Sequence, residues 1–136
     1  MKVVASALLL VLALATPAAG GPLSQTFPVS LDRAWSTTEK VLKLLGWEID
    51  KADRSIGWIA TDSRRLEGED YGVYAKGTRH RLRVNLKVED ESRTTITVER
   101  SVFKRERILW MDKDEPVTTD DQTVEKNLLS AIGKSL

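Results

Sequence analysis

The stretch Arg79-His80-Arg81-Leu82-Arg83-Val84-Asn85-Leu86-Lys87-Val88 alternates polar and apolar side chains. A period of two puts Leu82, Val84, Leu86 and Val88 on one face and Arg81, Arg83, Asn85 and Lys87 on the other. That pattern belongs to an antiparallel strand with one buried and one wet face, and the buried face needs a covering layer. Downstream, Glu89-Asp90-Glu91-Ser92 reads as a polar turn, and Thr94–Val102 as the returning strand with Ile96 and Val98 inward. Beyond it, Phe103–Trp110 can continue extended, although Lys104-Arg105-Glu106-Arg107 interrupts the pattern.

The covering layer lies at both ends of the chain. Leu31, Ala34, Trp35, Thr38, Val41, Leu42 and Leu45 recur at spacings of three and four, which predicts an amphipathic helix over Leu31–Leu45. Ser30 precedes it as an N-cap, Asp32 meets the positive end of its dipole, and Gly46 stands where a left-handed stop belongs. A second helix is expected from about Asp120 to Lys134, with Val124, Leu128, Ala131 and Ile132 on one face. Trp47–Lys51 and Ile56–Arg64 read as a hairpin, in which Trp47 and Trp58 can pair. Gln25–Ser30 is short and extended, and Pro28 argues for an edge position. The order strand, helix, antiparallel strands, helix predicts an α+β two-layer domain over residues 25–136.

Residues 1–20 read as a secretory signal. Met1-Lys2 is the positive start, Val3–Ala15 is apolar, and Thr16–Pro22 is rich in small residues. The apolar run is shorter than the roughly 20 residues a membrane span needs. The expected address is periplasmic or secreted, with cleavage after Ala18, Ala19 or Gly20. No Cys follows the run, so no acyl anchor is expected. Losing Lys2 takes 21 basic residues to 20, which balances the 20 acidic ones. A neutral chain has no overall pull toward nucleic acid, and none is expected as a partner.

The chain has no Cys and one His, which removes disulfides, thiolate metal sites, Cys nucleophiles and any two-imidazole site. The acids from Asp112 to Asp121 lack the central Gly and terminal Glu of a calcium loop, and read as a solvated turn leading into a helix. His80 has no nucleophile motif beside it and reads as a partly exposed residue at a strand end. Arg81, Arg83 and Lys87 read mainly as cross-strand ion-pairing partners on a wet face. Trp35, Trp47, Trp58 and Trp110 are core candidates. No catalytic, metal or cofactor residue is assigned.

The best binding candidate is Leu66–Thr78, read as a loop or the tip of a long hairpin. It exceeds the two to five residues common in hairpin loops, and its Gly68, Gly72 and Gly77 cost ordering entropy. Tyr71 and Tyr74 have large contact area and few torsions to freeze, so they lead the candidate site, with Arg81 and Arg83 expected beside them.

The residues Val29-Ser30-Leu31-Asp32-Arg33-Ala34-Trp35, Leu45-Gly46-Trp47-Glu48-Ile49 and Asp53-Arg54-Ser55-Ile56-Gly57-Trp58-Ile59 carry a resemblance. They resemble the repeated domain of the BamC (NlpB) lipoprotein family, part of the outer-membrane β-barrel assembly machine. The resemblance covers about residues 27–60. It implies a helix-grip fold, in which the sheet holds a C-terminal helix, a cell-envelope address and a non-catalytic role. Against that pattern the sequence has no Cys to lipidate, and a short mature N-terminus and one domain are expected in place of the family's long N-terminal segment and two domains. The expected function is a periplasmic interaction module that binds an envelope protein. The alternative is a small-ligand or lipid carrier with a cavity between helix and sheet. Mass spectrometry of the native protein should show an N-terminus between Ala19 and Gly21; an intact Met1 in envelope fractions would refute processing.

Overall fold

A computed structural model describes residues 21–136; the expected signal over 1–20 lies outside the described residues. The elements are β1 (Leu23–Phe27), α1 (Leu31–Leu44), β2 (Ile49–Asp53), a 3-10 turn (Arg54–Ile56), β3 (Trp58–Thr61), β4 (Arg64–Asp70), β5 (Tyr74–Asp90), β6 (Arg93–Ile108), β7 (Met111–Val117) and α2 (Thr123–Ser135). All strand pairs are antiparallel, giving an α+β fold of seven strands and two helices.

The main order is β1-β6-β5-β3-β2, with β4 added to β5 and β7 added to β6. β1 is an edge strand, but it runs over Leu23–Phe27 rather than Gln25–Ser30, and Pro28 lies just past its end. The register Val84↔Val98 and Leu86↔Ile96 sets the apolar residues of β5 and β6 on one face. Both helices pack on that face. Ala34, Trp35, Val41 and Leu42 from α1 and Leu128, Leu129 and Ile132 from α2 share one core with Ile59, Leu82, Val84, Leu86, Ile96 and Val98. Ser30 caps α1 through Oγ, which accepts from the Arg33 amide.

Length arithmetic sets the rest. β5 has 17 residues and α1 has 14. At about 3.4 Å per strand residue β5 spans roughly 58 Å, whereas at about 1.5 Å per helical residue α1 spans roughly 21 Å. The helices therefore cover only the half of the hairpin that pairs with β1 and β3. The other half, with β4 and β7 on its flanks, projects as a four-stranded arm in the order β4-β5-β6-β7. Every residue of β4 beyond Arg64, and every residue of β7 before Val117, is exposed.

Several expectations change. Of the two readings of Leu66–Thr78, the loop falls and the end of a long hairpin holds: the segment is most of β4 and the start of β5, and the turn shrinks to Tyr71-Gly72-Val73. Asp112–Val117, expected as polar irregular chain, is strand β7, with Pro116 on its way. Trp47 does not pair with Trp58; it packs on His80 and Arg64, while Asp53 is the register partner of Trp58. Trp110, a core candidate, is 84% exposed.

Two glycine positions are required by close approach. Gly57, at φ +66, lies against the Leu86 carbonyl, 2.1 Å from where a Cβ would sit, and its own carbonyl accepts from the Leu86 amide. Gly68 and Gly77 face each other across β4 and β5, and a Cβ on either would strike the opposite backbone at 2.4–2.9 Å from the partner's Cα. Gly68 and Gly77 thus let two strands close, rather than adding freedom to a loop. Trp35 is buried in the α1 seam, so Trp35→Ala should cost about 3–5 kcal/mol in chemical denaturation; a loss under about 1 kcal/mol would contradict this packing.

Candidate functional site

The arm has no apolar second layer, so its own side chains must hold it. On one face, Arg105 donates both Nε and Nη2 to the Asp114 carboxylate (2.8 and 3.0 Å). Arg107 similarly reaches Asp112, and its Nη1 donates to the Gly72 carbonyl at 3.1 Å. These forks hold the Asp114 and Asp112 carboxyls below the ordinary carboxylate range. Phe103 is buried on this face under the guanidinium groups of Arg81 and Arg105, at 5.1 and 5.3 Å. The opposite face carries a shallow hollow of about 300 Å³ lined by Glu67, Lys76, Thr78, Lys104, Glu106 and Glu115.

The free end of the arm is different in kind. Two adjacent turns, β4–β5 and β6–β7, carry Tyr71, Val73, Tyr74, Ile108, Leu109, Trp110 and Met111, all exposed. Tyr74, Ile108 and Met111 are register partners across three strands, so they form one apolar row. Trp110 is 84% and Met111 79% exposed. The Tyr71 and Tyr74 rings stack at 6.4 Å and 13°, and the Tyr71 hydroxyl donates to Glu69 at 2.7 Å. The first turn is well bonded: the Tyr71 amide donates to the Tyr74 carbonyl, and the Gly72 amide to Asp70 Oδ1.

The second turn is strained. Leu109 has φ +61 and is the one non-Gly residue with positive φ among the described residues. Positive φ at the first position of a two-residue hairpin turn is the pattern of type II′, which favours Gly. A branched residue there costs about 1–3 kcal/mol. Polar small residues would serve the turn better than Leu109-Trp110, so the turn's own stability does not account for this pair.

Tyr71 and Tyr74 therefore sit together at the arm tip. Arg81 and Arg83 do not join them. They lie seven and nine residues further along β5, roughly 24 and 31 Å away at strand rise. Arg81 covers Phe103, and Arg83 pairs with Glu99 at 3.7 Å. The sequence reading missed the partner turn, Ile108–Met111. The available signal was an apolar run, Ile-Leu-Trp-Met, between two charged stretches.

His80 also departs from expectation. It is 4% exposed and lies mid-strand, not at a strand end. Its ring meets Trp47 at 4.8 Å between centroids, and Arg64 covers the Trp47 ring. Arg100 Nη1 donates to His80 Nδ1 at 3.2 Å; since arginine only donates, the ring proton sits on Nε2. Arg100 pairs with Glu125 of α2 at 3.4 Å, both deeply buried, and ties that helix to β6. Nδ1 is occupied by this structural bond, which leaves it no lone pair for base chemistry.

The chain matches no family model and no curated protein.

Burial, then Arg100 and Arg64, push His80 down from 6.5 to about 4. The folded state thus holds His80 neutral, while the unfolded chain takes up the proton first. Stability from this group is full above about pH 6.5 and falls as pH drops toward about 4. Each pH unit inside that window is worth at most about 1.4 kcal/mol. Denaturation series at pH 7 and pH 5 should show the loss in the native protein and a flatter profile in His80→Gln. Equal slopes in the two proteins would refute the assignment.

Proposed function

We propose that this protein is a non-catalytic binding module of the cell envelope, and that it binds through the tip of its arm. The observation that carries the reading is the cluster of seven exposed apolar side chains on two adjacent turns, at the end of an arm whose exposed flanks are mostly charged. Contiguous exposed apolar surface rimmed by polar groups marks interaction sites. The envelope address rests on the signal-like residues 1–20. An accessory role in outer-membrane protein assembly, with a helix-grip arrangement of sheet and C-terminal helix, follows from the resemblance to the BamC family. The position of α2 on the sheet face is compatible with that arrangement.

The carrier alternative has less support. The space between helices and sheet is filled by Trp35, Leu42, Val84, Ile96, Leu128 and their neighbours. The hollows described lie on the arm and at the corner by Glu39, Lys43 and Trp47, with charged residues prominent in their linings.

The double variant Tyr71→Ala/Tyr74→Ala should lose capture of the envelope component while its melting temperature stays within a few degrees of the parent. A photo-reactive side chain at position 110 should cross-link to that component, and one at exposed Lys51 should not. Unchanged capture by the folded double variant, or equal cross-linking from both positions, would refute the tip as the binding site.

A further inference from the structure

The proposed binding site has a layered chemistry that identifies its occupant. We infer that the arm tip inserts into the interfacial layer of a lipid bilayer; this rests on the tip being the binding site. At the free end stand Leu109, Trp110 and Met111, with the row Tyr74–Ile108–Met111 across the strands. Trp and Tyr are the residues that favour the water–bilayer boundary, where an apolar ring and a polar handle are both accommodated.

A charged collar begins at once behind this cap. The next two register rows bring Lys76, Arg107 and Lys113 against Glu69, Asp70, Glu106 and Asp112. Those rows lie about 3 and 7 Å behind the apolar row at strand rise. Interfacial elements bury their apolar face by about 5–10 Å, so the collar meets the headgroups when the cap meets the acyl boundary. Three cations against four anions make the collar nearly neutral, with both signs interleaved. Such a collar suits a zwitterionic headgroup and gives no reason to prefer anionic lipid.

Backbone polarity is also accounted for at the first turn. Burial in an apolar phase is costly for unpaired amides and carbonyls. The Tyr71 amide is bonded to Tyr74, the Gly72 amide to Asp70, and the Gly72 carbonyl to Arg107. The strained Leu109 in the second turn places two large apolar side chains at the most distal point of the arm, where Gly and a small polar residue would fold more easily. A narrow protruding end gives little area for a rigid protein surface, whereas a fluid bilayer needs no preformed socket. No helix among the described residues is long and apolar enough to cross a membrane.

Co-sedimentation of the processed protein with phosphatidylcholine vesicles tests this, at low and high salt. The folded protein should partition onto the vesicles with little salt dependence. Its tryptophan emission should shift to the blue and be quenched by bromine-labelled acyl chains, because Trp110 is the strongly exposed tryptophan. Leu109→Gly/Trp110→Asn should lower the partition coefficient by about tenfold or more without lowering the melting temperature, since the turn is relieved. Trp110→Asn alone provides the second variant, with a smaller loss. Leu44→Asn removes an exposed leucine from the helical end and should bind like the parent. Absence of partition, partition abolished by salt, or an equal loss in Leu44→Asn would overturn the inference. If the protein ignores vesicles yet still cross-links to an envelope protein from position 110, the lipid assignment fails and the tip remains the binding site.

Discussion

The β5–β6 ladder is the constraint on which the rest depends. It runs unbroken in register from Tyr74↔Ile108 to Val88↔Thr94 and spans two environments. At one end, alternate residues must be apolar because two helices lie on them. At the other no helix reaches, and the same strands must satisfy water on both faces. The change falls near His80 and Arg100, where the buried face passes from Leu82 to a polar cluster closed by Glu125 of α2. Breaking one partner of a buried ion pair typically costs about 3–5 kcal/mol, so this junction resists sliding of the helix along the sheet.

Beyond the junction, stability has a different source. Single exposed ion pairs are worth only about 0–1 kcal/mol. In the arm they are forked and shared: Arg105 faces both Asp112 and Asp114, and Arg107 faces both Asp70 and Asp112. Phe103 supplies a small apolar centre, roofed by the Arg81 and Arg105 side chains. Long arginine stems cover apolar surface while the charge stays wet. The opposed Gly68 and Gly77 remove the two Cβ atoms that would hold β4 off β5. Four strands also give each interior strand two hydrogen-bonded neighbours, which a lone hairpin lacks.

Legibility in the sequence follows this division. Where a helix covers the sheet, hydrophobic period is the physical signal, and α1, α2 and the Leu82–Leu86 face were readable from it. In the arm no helix covers a face, and β4 and β7 stay exposed almost throughout, so no period marks them and Glu, Asp, Gly and Pro resemble a loop. What holds Asp112–Val117 as a strand is its pairing with Arg105 and Arg107, a long-range fact that local propensity does not carry. Tyr71 and Tyr74 stood out because they interrupt a polar stretch. Trp110 did not, because an isolated tryptophan beside apolar residues looks like core. His80 was misjudged because its burial depends on Trp47 and Arg100, both distant in sequence.

The arm tip is where local and global preferences conflict. Elsewhere each choice agrees with the fold: Ser30 caps, Gly57 lets β3 approach β5, and Pro28 falls just past the end of edge strand β1. At Leu109-Trp110 the turn wants Gly and a small polar residue and holds two bulky apolar ones instead. Conflicts of this kind concentrate at functional sites, because a purely structural turn would have no reason to retain the cost. Rigidity gives that cost a purpose. An apolar cluster on a loose loop would fold back onto Phe103 or the core, but one mounted on four paired strands stays extended in water. The ion-paired sheet thus holds an apolar tip well away from the helices that would otherwise bury it.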